Sequence, residues 1–187
     1  REVRMARTLV LYQSGYGHTR KIAERLGRRL EEGGEQVAVL SLDDPAVDLE
    51  QYARVIIGAS IRNGKHKPEV IDFIDRHLDQ LRARPSGFFS VNLVARKPGK
   101  NTPETNPYLV KFLENCPWTP DLVGVFAGNL DYSRYRFFDR HIIRFIMWLT
   151  KGPTDLNTKV EYTDWDEVDR FAGRIAELPA GRAAEAA

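Results

Sequence analysis

The sequence predicts an α/β domain in which a parallel β-sheet is covered by helices on both faces. Two observations carry that expectation. Runs of consecutive apolar residues alternate along the chain with stretches whose apolar residues recur at helical spacing. Those runs do not alternate apolar with polar, so both faces of each strand need cover, as in a parallel sheet. At 187 residues the chain suffices for one such domain with a sizeable core, and no linker or internal repeat divides residues 1–187.

The first apolar run, Ala6–Tyr12, ends in a loop rich in glycine. A helix follows from His18 to Glu32, with Ile22, Leu26 and Leu30 on one face, and Gly33-Gly34 stops it. Val37–Leu42 and Arg54–Ala59 read as the second and third strands. Pro68 opens a helix at a position where proline loses no needed hydrogen bond, and its stripe runs Val70, Phe73, Ile74, His77, Leu78 and Leu81. Gly87–Leu93 is a fourth strand, a helix lies near Asn106–Asn115, and Leu122–Ala127 is a fifth strand. The strand Lys159–Tyr162 and the helix Trp165–Leu178 close the fold, with Thr163 or Asp164 as the helix cap. Residues 1–5 are expected to be a short lead or a cloning remnant, and residues 180–187 a frayed Ala-rich tail.

Composition narrows the function. A net charge of +2 argues against general nucleic-acid binding, which needs a strongly basic surface. A single cysteine, Cys116, permits no internal disulfide and no cysteine-based zinc cage, so no metal site is expected and packing is its expected role. No apolar run reaches the length of a bilayer span. Ligands of such sheets sit beyond the carboxyl ends of the strands. The loops to inspect are therefore Gln13–Thr19, Ser60–Lys67, Asn92–Lys100 and the chain from Gly128 onward.

The first of these suits a phosphomonoester. Ser14 and Thr19 offer hydroxyls, Gly15 and Gly17 let backbone N–H groups approach an anion, and the helix beginning at His18 adds its positive end. Tyr16 lies between the two glycines. His18 itself either touches the phosphate or faces solvent. Neither the P-loop pattern nor G-x-G-x-x-G is present. The run Val10, Leu11, Tyr12, Ser14, Gly17, Thr19, Ala23 and Leu26 resembles the flavodoxin signature at every specified position. The resemblance implies a flavodoxin-like, doubly wound five-stranded parallel sheet of the long-chain type, with an insertion around the fifth strand and FMN as cofactor.

In that fold the next two loops flank the isoalloxazine ring. Ser60, Ile61, Arg62, Asn63 and Gly64 on one, and Asn92, Leu93, Val94 and Ala95 on the other, become candidate ring contacts. Arg62 would favour negative charge on the reduced ring, or else is a solvated loop arginine. The phrases Gly58-Ala59-Ser60-Ile61-Arg62, Ser90-Val91-Asn92-Leu93-Val94-Ala95-Arg96-Lys97-Pro98, Tyr132-Ser133-Arg134-Tyr135-Arg136-Phe137-Phe138-Asp139-Arg140 and Val160-Glu161-Tyr162-Thr163-Asp164-Trp165 are similar to the flavodoxin-like, quinone-dependent protoporphyrinogen oxidases. That likeness spans roughly Ala6 to Leu178. It implies six-electron oxidation of protoporphyrinogen IX to protoporphyrin IX in haem synthesis, with electrons leaving in pairs through FMN to menaquinone or ubiquinone. The enzyme would then sit peripherally on the cytoplasmic side of the inner membrane.

Substrate propionates need cations, and Arg62, Lys65, Lys67, Arg96 and Lys97 lie on the relevant loops. Arg96 and Arg62 rank first among them. Tyr132 and Tyr135 either stack on a macrocycle or pack. No residue presents itself as an obligatory base; His66 is the candidate, though a histidine on a basic loop is usually solvated. Two rival readings share the cofactor. An electron-carrier flavodoxin would be expected to be acidic, and an NAD(P)H:quinone reductase would take hydride from a nicotinamide.

Residues 131–153 form an insertion that is both basic and aromatic. Read as a helix, Tyr135, Phe138, Ile142, Phe145, Ile146 and Leu149 share one face, and Arg136, Arg140, Arg144 and Lys151 the other. Phe137, Ile143, Met147 and Trp148 intrude on the polar side. Either the stripe packs on the sheet, or 131–151 lies on anionic lipid.

Overall fold

The computed structural model describes residues 7–62 and 64–179, with Arg62 through its backbone only; the expectations for Asn63, for residues 1–5 and for the 180–187 tail lie outside the described residues. Strands β1 (Arg7–Gln13), β2 (Gln36–Ser41), β3 (Arg54–Arg62), β5 (Ser86–Asn92) and β6 (Leu122–Ala127) form a parallel sheet in the order β2-β1-β3-β5-β6. A two-residue strand, β4 (Lys65–His66), folds back antiparallel on the end of β3. Alternate residues of each strand feed opposite faces. Leu9 and Leu11 of β1 join α2 (Pro68–Arg76), α3 (Leu78–Arg82) and α4 (Pro107–Glu114) through Val70, Ile74, Leu81 and Leu109. Val10 of the same strand joins α1 (His18–Glu32) and α6 (Trp165–Glu177) through Ile22, Leu26, Val168 and Phe171. The sheet is thus wound on both sides, as its uninterrupted apolar strands require.

Local chemistry sets the element ends. The α1 C-terminus is closed by Gly33, whose N–H reaches the Arg29 and Leu30 carbonyls. Asn106 caps α4 by accepting from Leu109 N, and Asp164 caps α6 by accepting from Asp166 N and Glu167 N. Thr163 is left for another partner. Cys116 packs half-buried against the α4 side of the core, and burial pushes its thiol pKa up.

One expectation is corrected here. The helix from Pro68 does not run through Leu81. It breaks at His77 (φ −115°), whose Nδ1 lies 2.9 Å from Phe73 O and whose ring stacks on Phe73. The last strand, β8 (Lys159–Glu161), lies outside the five-stranded parallel sheet, in keeping with the strand count expected for it. It pairs antiparallel with β7 (Asn129–Asp131), directly after β6, in a separate ribbon.

That ribbon carries the insertion. A third apolar cluster of Leu130, Tyr132, Tyr135 and Met147 sits beyond the strand ends, with Tyr16, Leu93, Ile143 and Tyr162 against it. Above it lies α5 (Phe137–Leu149). Of the two readings left open for the α5 stripe, packing on the sheet fails for most of its residues. Asp139, Ile143, Ile146 and Met147 face inward, while Phe138 is 78% exposed, and Phe145, Leu149 and Ile142 are exposed beside it. Both sides of this helix are apolar, so periodicity alone did not select the buried one; the side carrying Met147 and Asp139 has partners in the ribbon and the first loop.

Candidate functional site

A cleft opens at the carboxyl ends of β1, β3 and β5, lined among others by Ser14, Tyr16, His18, Thr19, Ser60, Ile61, Gly64, Asn92, Leu93 and Val94. Its lining atoms bound about 850 Å³, part of it open to solvent. Tyr108, Tyr135, Asp139, Ile143 and Ile146 complete the wall, so α5 roofs the cleft.

The β1–α1 loop is shaped for an anion. Gly17 caps α1 at φ 90°, a left-handed backbone that a side chain would strain. Its N–H donates to Ser14 Oγ at 2.9 Å, which folds the loop and leaves the Ser14 hydroxyl proton for a ligand. A Cβ built on Gly15 or Gly17 would meet no atom within 4 Å, so the cradle is open where an anion would lie. No acidic residue occupies the first turn of α1. The buried His18 Nδ1 has no hydrogen-bond partner. Open backbone, hydroxyls and a helix N-terminus together fit a phosphate.

The ring side is held from below by a buried polar network. Asn92 and Asn106 pair reciprocally, Nδ2 to Oδ1, at 3.1 and 3.0 Å. Asn92 Oδ1 also accepts from Ala95 N at 3.0 Å, capping the 3₁₀ turn Leu93–Arg96, and its Nδ2 donates to Ser90 Oγ at 3.1 Å. His66 Nε2 lies 2.8 Å from the same Ser90 Oγ. Contrary to expectation, His66 is not solvated. Its ring is packed between Phe88 and Phe112, outside the cleft lining, and burial lowers its pKa to about 4. It is a neutral strut beneath the site.

That burial has a pH signature. With the folded value below the ordinary 6.5, the unfolded chain binds more protons between about pH 6.5 and 4. Stability contributed by His66 is complete above pH 6.5 and falls as pH drops through that window, by about 3 kcal/mol in all. Urea unfolding at pH 7 and pH 4.5 measures it, and His66→Gln is expected to shrink the difference between the two pH values.

Other expected contacts fall elsewhere. Arg96 does not face the cleft: its guanidinium donates to Leu93 O at 2.8 Å and to Thr150 Oγ1 at 3.0 Å. It ties the C-terminal end of α5 to the ring-side turn, and lies over the Tyr162 ring. Tyr132 is fully buried and donates to Pro153 O at 2.7 Å, so it packs. Tyr135 does line the cleft, tilted against Tyr16. Lys97 lies outside the lining, half-buried beside Arg96, Lys100 and Lys151; lost hydration and those charges lower its pKa.

Asp139 is the residue that sequence reasoning missed. Tyr16 donates its hydroxyl to the buried Asp139 carboxylate, strapping the phosphate-type loop to α5. An acidic residue amid the arginines of the insertion was the available signal. Helix α5 is therefore held at both ends, by Tyr16 near its start and Arg96 at its close.

The sequence pattern of the flavodoxin domain matches residues 9–157. The protoporphyrinogen IX dehydrogenase (quinone) of Escherichia coli (strain K12) is 46% identical over 92% of this chain and 96% of its own. The chain belongs to the protoporphyrinogen IX dehydrogenase (quinone) family. A member from Leishmania major is 47% identical over 91% of this chain and 75% of its own length. A flavodoxin from the domain Archaea superposes with a TM-score of 0.52 at 20% identity, covering 91% of this chain and 96% of that one, which establishes the shared fold. A flavodoxin domain in this dehydrogenase family implies a flavin cofactor.

Proposed function

We propose that the chain binds FMN in this cleft and oxidises protoporphyrinogen IX to protoporphyrin IX, with menaquinone or ubiquinone as final acceptor. The observation that carries the reading is the near full-length likeness to two protoporphyrinogen IX dehydrogenases. The open, acid-free β1–α1 loop supports FMN as the form of the flavin. Bound flavin supplies the two-electron chemistry.

The chain's own residues bind, orient and exclude water. Backbone N–H groups and hydroxyls from Ser14 to Thr19 hold the phosphate. Ser60, Ile61 and Gly64 on one side, and Asn92 to Val94 on the other, border the ring through groups fixed by the Asn92–Asn106 pair. Tyr135, Ile143 and Ile146 offer an apolar wall against which a flat macrocycle packs. The cationic group of Lys97, Lys100 and Lys151 suits propionates, while Arg96 serves as the latch that keeps α5 in place.

The outer face of α5 supports a membrane-surface enzyme. Phe137, Phe138, Phe145, Trp148 and Leu149 are exposed together, edged by Arg140 and Arg144. No helix among the described residues is long and apolar enough to cross a membrane. An apolar stripe with an arginine border lies flat on anionic lipid. There, on the cytoplasmic side of the inner membrane, both substrate and quinone are soluble.

The test is anaerobic mixing of the flavin-loaded protein with protoporphyrinogen IX or with NADPH. The reading predicts bleaching of flavin absorbance by the porphyrinogen, with growth of protoporphyrin fluorescence, and recovery on adding quinone. Bleaching by NADPH alone would instead make the chain an NAD(P)H:quinone reductase, and bleaching by neither would make it an electron carrier.

A further inference from the structure

The histidine that opens α1 is placed unlike a solvent-facing residue. Its side chain is 94% buried, since only 6% remains exposed, and it lines the cleft beside Ser14, Tyr16 and Thr19. Nε2 lies 2.6 Å from Thr163 Oγ1, and that hydroxyl donates its single proton to Ala127 O at 2.7 Å. Thr163 Oγ1 can then only accept, so Nε2 carries the hydrogen and neutral His18 presents a bare lone pair at Nδ1. That nitrogen is buried without a hydrogen-bond partner. The nearest acceptor of opposite charge is Glu161 Oε1 of β8, 3.8 Å away, too far for a hydrogen bond but close enough to stabilise an imidazolium.

The charged groups around the ring oppose one another. Glu161 favours the protonated form; Lys21 on α1 and Arg134 on the turn before α5 oppose it, as does burial, and the Trp165 ring of α6 packs edge-on without charge. Burial is the largest influence, so the ligand-free protein holds His18 neutral more readily than a free histidine. A dianion in the adjoining loop would reverse that balance.

We propose that His18 is the proton-linked partner of the ligand's phosphate: it takes up a proton at Nδ1 when a phosphorylated flavin binds and gives it up on release. This rests on the FMN reading above and adds a charge partner to a cradle otherwise made of hydroxyls and backbone N–H groups. Binding and protonation then favour each other by linkage, so affinity rises as pH falls wherever the loaded protein holds the extra proton. The proton enters from solvent and breaks no other bond, because Nε2 keeps its hydrogen bond to Thr163.

The experiment is equilibrium quenching of FMN and of riboflavin fluorescence by the apo-protein between pH 6.5 and 8.5, where a phosphate monoester (second pKa about 6) is predominantly dianionic. In the wild type, FMN affinity is expected to fall at least about threefold across this range, while riboflavin affinity stays flat. His18→Gln is expected to bind FMN with no such slope. Ring resonances of His18 in the wild-type protein provide a second readout, with the loaded protein titrating at higher pH than the apo-protein. Parallel slopes in wild type and His18→Gln, or a His18 titration unmoved by FMN, would overturn the proposal while leaving the cofactor reading intact. Failure of FMN to bind at any pH would remove both.

Discussion

Replacing Asn92 with alanine is expected to cost about 3 kcal/mol of folding stability and to weaken flavin binding by at least tenfold. One amide side chain serves the Ala95 N–H, the Ser90 hydroxyl and the Asn106 amide, all buried at the base of the cleft. Deleting it strands the Ala95 N–H and half of the Asn106 pairing, and buried polar groups left unpaired cost about 1–3 kcal/mol each. The turn Leu93–Arg96 loses its cap at the same moment, so its ring-side residues lose their fixed position. Urea unfolding and flavin titration measure the two effects separately. A variant within about 0.5 kcal/mol of wild type and unchanged in affinity would show that the network is not what shapes the site.

The outer face of α5 carries the second large effect. The triple variant Arg144→Ala, Phe145→Ala, Trp148→Ala is expected to lower partitioning onto phosphatidylserine-containing vesicles by about 100-fold or more. Burial of a large apolar side chain contributes roughly 1.5–3 kcal/mol, and each arginine near an anionic surface about 1 kcal/mol. None of the three side chains lines the cleft, so turnover with a soluble quinone should persist. Rising salt should weaken the wild type's binding through the arginine contribution. Wild-type protein that ignores such vesicles, or a triple variant that partitions unchanged, would leave this face without a lipid role.

Much of the site was legible in the sequence where short-range chemistry encodes it. The Ser14–Thr19 loop follows from glycine, hydroxyl and helix start at fixed spacing, and its strand–loop–helix setting follows from apolar patterning. The parallel sheet follows from strands apolar on both faces. What sequence could not yield depends on partners distant along the chain. Arg96 looks like a free cation until Thr150 is brought beside it. Tyr132 looks like a stacking surface until Pro153 accepts its hydroxyl. His66 looks solvated until Phe88 and Phe112 close over it. The α5 face stayed open in the sequence for a related reason: both sides are apolar, and Tyr16 meeting Asp139 identifies the inner one.

The central claim is that the cleft recognises a flavin by its phosphate at the β1–α1 loop. Its most direct measurement is a side-by-side titration of apo-protein with FMN and riboflavin at fixed pH and salt. Several charge-assisted hydrogen bonds to the phosphate together contribute about 3 kcal/mol or more, so FMN should bind with one-to-one stoichiometry and at least about 100-fold tighter than riboflavin. Equal affinities for the two, or no saturable binding of either, would contradict it.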